Sequence, residues 1–383
     1  MRLVRHLPAL GALGALFIAG ACADTPSAPP AAALAAAPPP HSMAGGNKLV
    51  TVMSRNLYLG ADLNPIFTAP SPIVLFDRAH VQWQKVVATR FAERAAAIAE
   101  EIAAADPELV GLQEVPTYYL QRPGDGFLGA AQQRATVPEL DFLATLLAAL
   151  DARGLRYRAV SSTAISDVEI YALPLGNVPG GPAGYDVRFQ DHGAILARED
   201  VSVANPRSGI YAAFVPVSSF GTTIPVRRAW TSVDVKHRGE SFRFVNTHLE
   251  NAVLVVQQLQ AQQLIGVTNA SPLPVLLVGD LNSPADGSGS ATYGMMRAAG
   301  FGDAWADAGA GAGLTCCQAE NLLNAASLLR ERIDLVLHRG PFETVSVDVV
   351  GETQAERTPT GLWPSDHAGV VATIRLLNPK FVE

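Results

Sequence analysis

Short apolar runs rich in branched side chains alternate along the chain with longer stretches of helical period. The runs at residues 49–56 and 108–115 have the length of buried strands. Between them, apolar side chains recur every three or four positions from Trp83 to Ile102, and Pro107 follows as a stop signal. This spacing predicts a core-packing helix between two buried strands.

The same alternation continues to the end of the chain. Strands are predicted at 193–198, 228–235, 242–248, 274–280, 332–337 and 368–376, and helices at 138–152, 253–268 and about 290–299. The turn at 236–239 indicates a hairpin between two of these strands. Three regions rich in Gly, Pro or small residues, 119–136, 172–190 and 283–325, hold no clear element. Strands and helices interleaved in this way imply two sheets, or one large mixed sheet, with helices packed outside.

Polar residues lie at the ends of the apolar runs. They are Asn56, Glu114, His248, Asp280, Asn282, Asp366 and His367, and Asp334 lies inside a sixth run. Each alone has a simple structural explanation, since Asn and Asp favour strand ends and turns. Together they are the residue types that hold a hard cation, orient a water and stabilise a phosphoryl group. The combination indicates metal-assisted hydrolysis of phosphoesters.

The ordered motifs SRN, QEV, NTHLE, GDLN, RID and SDH carry a family resemblance. The set resembles the endonuclease/exonuclease/phosphatase superfamily, which includes DNase I-like nucleases and bacterial sphingomyelinases, from Asn47 to about Leu377. The resemblance implies an α/β fold, the DNase I-like four-layered α/β sandwich, in which two mixed sheets pack face to face with helices outside. It also implies a site at one edge of the two sheets.

The resemblance assigns the metal site to three of these residues. Glu114 matches the principal Mg²⁺ ligand, Asn56 the neighbour that supports the metal, and Asp366 a residue of the metal site or its surroundings. Mg²⁺ needs only one or two carboxylates because it keeps several waters. Mg²⁺ is therefore the expected cofactor, with Mn²⁺ as an alternative.

The remaining matches imply catalytic and substrate-contacting roles. Asp280 positions or deprotonates the attacking water, and Asn282 holds the phosphate or the same water. His367 contacts the phosphate and pairs with Asp334, while His248 contacts the phosphate from the other side.

Three further residues have weaker matches. Asp191 is a possible orienting partner of His248, and Arg228 a possible substrate contact. Phe189 lies about where some relatives have a Tyr that contacts phosphate, so that hydroxyl contact is expected to be missing here.

The pattern of the N-terminal residues is typical of an export signal. Arg2 and Arg5 precede an apolar stretch that ends in small residues before Cys22. The ending resembles a lipoprotein box, although Ala replaces the usual Leu, and a rival cut after Ala23 releases a soluble secreted protein. The expected parts are a signal at 1–22, an Ala/Pro-rich tether at 23–46 and one large domain at 47–383. The expected location is the cell envelope, through a lipid on Cys22, or the exterior.

Net charge limits the kind of substrate that the surface can attract, and the cysteine content limits the kind of fold. The formal net charge is −7, and removal of residues 1–22 leaves 26 basic against 35 acidic residues, so a polyanionic substrate needs a local basic patch. Only three cysteines exclude a disulfide scaffold, and Cys316 and Cys317 are expected to be two packed thiols.

Three substrate classes stay open, and no protein partner is implied. A nuclease predicts a basic groove built from residues such as Arg55, Arg227, Arg228 and Arg332. A sphingomyelinase- or phospholipase C-like enzyme predicts apolar residues around the mouth of the site, which residues 65–83 can supply if they are not simply packed. A phosphomonoesterase acting on sugar or inositol phosphates is the third class.

Overall fold

A computed structural model describes residues 48–126, 133–174, 184–220 and 222–377. The predicted signal and tether, with Cys22, lie outside these residues. The elements in chain order are β1 (Leu49–Asn56), α1 (Asn64–Phe67), α2 (Pro72–Ala88), α3 (Phe91–Ala105), β2 (Leu109–Gln113), β3 (Thr117–Gln121), β4 (Val137–Asp141), α4 (Phe142–Asp151), β5 (Tyr157–Ala172), β6 (Tyr185–Arg198), β7 (Ser202–Ile210), β8 (Val215–Ser219), β9 (Thr222–Val226), β10 (Ala229–His237), β11 (Glu240–His248), α5 (Leu254–Asn269), β12 (Val275–Asp280), α6 (Thr292–Ala298), β13 (Gly302–Asp303), α7 (Ala304–Ala308), β14 (Asp334–Arg339), β15 (Phe342–Val350) and β16 (Gly369–Leu376). None of the described helices combines the length and the apolar character needed to cross a bilayer.

Two large mixed sheets form the centre of the fold. The first has the order β15-β16-β1-β2-β6-β3-β4, with β5 paired along the long strand β6. The second has the order β13-β14-β12-β11-β10-β7, and β8 and β9 form a separate hairpin. In each sheet one parallel pair, β1 with β2 and β11 with β12, lies among antiparallel neighbours.

Three apolar clusters hold the layers together. Met53, Val110 and Leu196 of the first sheet pack with side chains of α2, α3 and α4. A second cluster, which includes Phe244 and Val278, fills the space between the sheets. A third joins the second sheet to α5 and α6. The layers are therefore helix, sheet, sheet and helix, which confirms the four-layered fold.

The helix predicted across Trp83 to Ile102 is two helices. α2 ends at Ala88 and α3 begins at Phe91, and Arg90 between them has a positive φ of 46°. Both helices pack on the same sheet, so the apolar period continues through the break. The spacing of apolar residues predicts which face of a helix is buried, but it does not predict where the backbone changes direction.

Several strands were missed at sequence level, β5 most clearly. The regions 119–136 and 172–190, predicted to hold no element, contain parts of β3, β5 and β6. Most of β5 is only half-buried and it has no sustained apolar alternation. It exists because it pairs along almost the whole of β6, a partner that is distant from much of it in sequence. The predicted hairpin at 236–239 is confirmed, and its turn residues Arg238 and Gly239 both have positive φ.

Candidate active site

The ends of several strands bring the predicted site residues to one edge of the sheets. The parallel strands β1 and β2 end at or just before Asn56 and Glu114. In the second sheet His248, Asp280 and Asp334 are direct cross-strand partners on β11, β12 and β14. Cross-strand partners project to the same face of a sheet, so these three side chains form one row.

His367 lies against this row, just before β16. Its Nδ1 is 2.8 Å from Oδ2 of Asp334, and its Nε2 is 3.9 Å from Oδ2 of Asp280 and 4.0 Å from Oδ1 of Asp366. Arg55 donates to the carbonyl oxygen of His367. The predicted pairing of His367 with Asp334 is therefore present, and the second ring nitrogen faces the site.

Asn56 links the carboxylates of Glu114 and Asp280. Its Nδ2 donates to Oε1 of Glu114 and to Oδ2 of Asp280, each at 3.2 Å. Its Oδ1 accepts the backbone N–H of Tyr58 at 2.9 Å, and Oε2 of Glu114 accepts the N–H of Leu59 at 2.8 Å. Asn56 thus positions the carboxylates of Glu114 and Asp280, and its amide oxygen, which accepts one N–H, keeps a second lone pair that a metal could use.

His248 has a different environment from His367. Nη1 of Arg228 lies 3.2 and 3.1 Å from its two ring nitrogens, and Nδ2 of Asn282 lies 3.1 Å from Nε2. Oδ2 of Asp280 is 3.5 Å from the same nitrogen. Arg228 also pairs with Glu250 at 3.4 Å, so its guanidinium is held between a ring and a carboxylate.

Asp191 and Phe189 lie on the Glu114 side of the site. Burial, and then the charge of Glu114, raise the pKa of Asp191 to about 7. Within the described part of the chain, no hydrogen bond joins Asp191 to His248. Phe189 packs against Tyr118, with ring centroids 5.4 Å apart.

The two histidines have different protonation states because different charges lie next to them. Burial lowers the pKa of His367, but the carboxylates of Asp334 and Asp366 outweigh it and raise that pKa well above its ordinary value. Burial and the charge of Arg228 lower the pKa of His248 well below its ordinary value. His367 is therefore an imidazolium at neutral pH, and His248 is a neutral ring.

The carboxylates at the centre resist ionisation. Burial, and then the charge of Asp334, raise the pKa of Asp280 to about 7, against the opposing charge of His367. Burial raises the pKa of Asp366 to about 6, with His367 opposing and Glu114 adding to the rise. Asp280 is thus poised to take up a proton near neutral pH.

Three of the nine described non-glycine residues with positive φ lie at the site. Tyr58, Glu114 and Asn282 have positive φ values of 61°, 53° and 49°. Non-glycine residues in this region cost about 1–3 kcal/mol each and persist only where the surrounding structure holds them. Two of the three carry predicted site side chains, which indicates that the fold maintains their positions.

A divalent cation fits the oxygen donors around Glu114. The charge of Glu114 contributes to the raised pKa of both Asp280 and Asp366, so three carboxylates lie close enough for a bound cation to relieve their repulsion. Ligand atoms of Asp280, Asp334 and His367 also lie within 4.8 Å of one another. Because imidazolium has no free lone pair, the Glu114 side is the better ligand group.

Arg94 was missed as a residue that shapes the site. It is fully buried in α3 and donates to the carbonyl oxygens of Leu57 at 2.6 Å, Tyr58 at 3.3 Å and Pro364 at 3.2 Å. It thereby ties the chain after β1 to the segment that carries Asp366. A basic residue on the apolar face of a predicted helix was the available signal.

The arginines proposed for a basic groove have other partners. Arg55 is buried and pairs with Glu101 at 2.8 Å, and Arg332 pairs with Asp303 at 2.9 Å. Arg227 lies over the ring of Phe214. Arg55 and Arg332 are thus paired within the fold, whereas Arg228, which contacts His248 and Glu250, lines a cavity beside Glu114 together with Arg227.

Cys316 and Cys317 differ from the expected pair of thiols. Their sulfurs are bonded to each other, and the peptide between them is cis. Sγ of Cys317 is 4.0 Å from Nε2 of His367.

Comparison with known proteins identifies the family. The model of the endonuclease/exonuclease/phosphatase family matches residues 81–367. The chain belongs to this family. Its members hydrolyse phosphoester bonds, so this protein is a hydrolase of the same superfamily. A search of curated protein sequences finds no match.

Solved structures of the family share the fold. A family member from Leptotrichia buccalis C-1013-b is 15% identical, with a TM-score of 0.53, and the match covers 85% of this chain and 99% of that one. A Bacteroides thetaiotaomicron family member is 17% identical, with a TM-score of 0.52, and the match covers 88% of this chain and 97% of that one. Mannosyl-6-phosphatase Bt3783 of Bacteroides thetaiotaomicron VPI-5482 is 18% identical, with a TM-score of 0.50, and the match covers 85% of this chain and 99% of that one.

Proposed function

We propose that this protein is a divalent-metal-dependent phosphodiester hydrolase that acts outside the cytoplasm. The observation that carries the proposal is the buried His367–Asp334 pair at 2.8 Å, with the free ring nitrogen directed at Asp280 and Glu114 beyond it. A cation, a proton acceptor and a metal-ligating carboxylate are thereby grouped at one edge of the sheets.

Each residue takes the role that its surroundings support. Asp280 accepts the proton of a water as the water oxygen bonds to phosphorus, and Asn282 orients that water or the phosphate. The P–O bond to one ester group breaks, and the departing oxygen takes up a proton from solvent and leaves as an alcohol. His367 donates a hydrogen bond to a phosphoryl oxygen, and Asp334 keeps the ring charged and oriented. Neutral His248, with Arg228, binds the phosphate from the opposite side.

The metal is proposed to bind Glu114 and Asp366, with Asn56 holding Glu114 in place. A divalent cation, Mg²⁺ or Mn²⁺, supplies charge that stabilises the developing negative charge on phosphoryl oxygens. The hard carboxylate oxygens match this class of ion.

Hydrolysis of two chromogenic substrates tests the proposal. We expect the purified protein to cleave bis-p-nitrophenyl phosphate with Mg²⁺ or Mn²⁺, to lose activity in EDTA and to regain it with excess metal. A preference for p-nitrophenyl phosphate would indicate a phosphomonoesterase, the activity named for the Bacteroides thetaiotaomicron neighbour. Turnover that is unchanged after exhaustive chelation would contradict the metal role.

Export rests on residues 1–22 alone. We propose that Cys22 is lipidated, because a charged start, an apolar stretch and small residues precede it. Radiolabelled palmitate should label the protein in a bacterial host, and Cys22→Ala should prevent labelling. An unlabelled protein in the medium would support the rival cut after Ala23, and a cytoplasmic protein of full length would reject export.

A further inference from the structure

An apolar cavity of about 450 Å³ opens beside the site. The first sheet contributes Val168, Ile170 and Val187, and the hairpin of β8 and β9 contributes Val217 and Ile224. α1 and α2 complete the wall, with Ile66 among the lining side chains. Cavities of this size and character bind the apolar parts of small ligands.

The cavity opens onto the Glu114 side of the site. Glu114, Asp191, Asp366 and Arg228 also line it. An ester group of a phosphoester bound at the site can therefore extend from the polar residues into an apolar space.

The charges near the cavity do not favour a polyanionic chain. Asp62, Glu250 and Glu320 line it together with the site carboxylates, and Glu320 pairs with Lys85 at 2.9 Å. Its two arginines, Arg227 and Arg228, are already stacked or paired. A nucleic acid strand would meet acidic and apolar groups here.

Exposed apolar side chains lie outside the cavity. The chain before the hairpin is tied to α5, since Ala212 N–H donates to Gln263 at 2.9 Å and Gln260 donates to the carbonyl of Ala213 at 3.0 Å. Four side chains around this junction and the hairpin tip, here called the apolar rim, are Phe214, Phe220, Val255 and Leu259, which are 37%, 50%, 62% and 49% exposed. Phe214 and Phe220 flank β8, whose Val217 lines the cavity, so part of the rim lies on the hairpin that forms the cavity wall.

We propose that the cavity is a binding site for the alkyl group of an amphiphilic phosphodiester of the phospholipid type. The proposal rests on the proposed function, since it places the phosphate at His367 and Glu114 and the alkyl chain between the hairpin and the first sheet. The apolar rim then contacts the lipid surface from which such a substrate is drawn.

A homologous series of alkyl p-nitrophenyl phosphodiesters, from methyl to octyl, tests the cavity. The purified protein is assayed with Mg²⁺ at ester concentrations below those that aggregate. We expect kcat/KM to rise roughly two- to fourfold per added methylene until the cavity is filled, as burial of a CH₂ group predicts.

Val217→Glu places a charge in the cavity wall. We expect the ratio of octyl to methyl kcat/KM to fall at least about tenfold, because a carboxylate there must be desolvated when an alkyl chain binds. Val345→Glu, an exposed position on β15, is the matched control and should leave the ratio unchanged. If Val217→Glu does not fold, Val217→Ala is the second variant, and the alkyl chain length that gives the highest kcat/KM should increase.

The outcomes separate the two proposals. Metal-dependent hydrolysis that is equally fast for all chain lengths, or faster cleavage of plasmid DNA than of the octyl ester, overturns the alkyl site and leaves the proposed function standing. Failure to hydrolyse any ester or DNA with any metal overturns both.

Discussion

Two histidines at the same edge of the sheets are in opposite states. His367 is bonded to the carboxylate of Asp334 at 2.8 Å, whereas His248 lies 3.1–3.2 Å from the guanidinium of Arg228. Both are buried, so burial alone would make both neutral. The difference shows that neighbouring carboxylates turn a buried ring into a cation, whereas the guanidinium beside His248 only adds to the effect of burial.

The largest expected effect is the loss of the cationic histidine. His367→Gln should lower kcat by roughly 10²–10⁴-fold, because the charge next to the phosphoryl oxygens disappears. The matched control is His338→Gln, since His338 also pairs with an aspartate, Asp307 at 2.7 Å, but lies away from the site on β14. Steady-state kinetics on bis-p-nitrophenyl phosphate measure both. Equal losses in the two variants would remove His367 from the chemistry.

Neutralising the partner of His367 should have a smaller effect with a pH signature. Asp334→Asn removes the charge that raises the pKa of His367, so the ring loses its proton at lower pH than in the native protein. Activity that needs the imidazolium is present below the pKa and lost above it. The alkaline limb of the kcat profile should therefore shift to lower pH, with a roughly 10- to 100-fold loss at neutral pH.

The pH profile of Asp307→Asn provides the comparison, since that carboxylate hydrogen-bonds to His338 and Thr344, away from the site. An unshifted alkaline limb in Asp334→Asn would show that His367 is not the titrating group.

Removing the guanidinium next to His248 should have the next largest effect. Arg228→Met takes away a charge that lowers the pKa of His248, so that pKa should rise, although burial still holds it down. Imidazole nitrogen shifts, recorded by NMR over pH 5–8, should show protonation at a higher pH than in the native protein. A loss of kcat/KM of roughly tenfold is expected, as for one charged hydrogen bond. No change in the titration would assign the neutral state to burial alone.

The smallest expected effect concerns Asp191, once a candidate partner of His248. Asp191→Asn should change the titration of His248 little, because no hydrogen bond among the described residues joins the carboxylate to the ring and the two are linked through the charge of Arg228. Because this link is indirect, kcat/KM at saturating Mg²⁺ should change less than about threefold. A moved titration of His248 would restore the predicted pairing.

Much of the site could be predicted because the polar residues interrupt strong strand patterns. Asn56, Asp280 and His248 end buried strands, and the ends of parallel neighbours meet at one sheet edge whatever lies between them. Arg94 and β5 could not be predicted in this way. Arg94 acts through backbone carbonyls of distant segments, and β5 depends on pairing with β6.

The sequence by itself predicted most strands and helices, indicated the family through the ordered motifs from SRN to SDH, and supplied a set of candidate site residues. The strands and helices follow from apolar periodicity, and the candidate residues from the residue types that phosphoester chemistry needs, both of which are local properties of the chain.

The tertiary structure alone decided which partner each side chain has. It made His367 a cation and His248 a neutral ring, bonded the amide oxygen of Asn56 to Tyr58, and placed an apolar cavity beside Glu114. Protonation state and cavity shape depend on burial and on charges brought together from distant segments. These are properties of distance in space, which spacing along the chain does not contain.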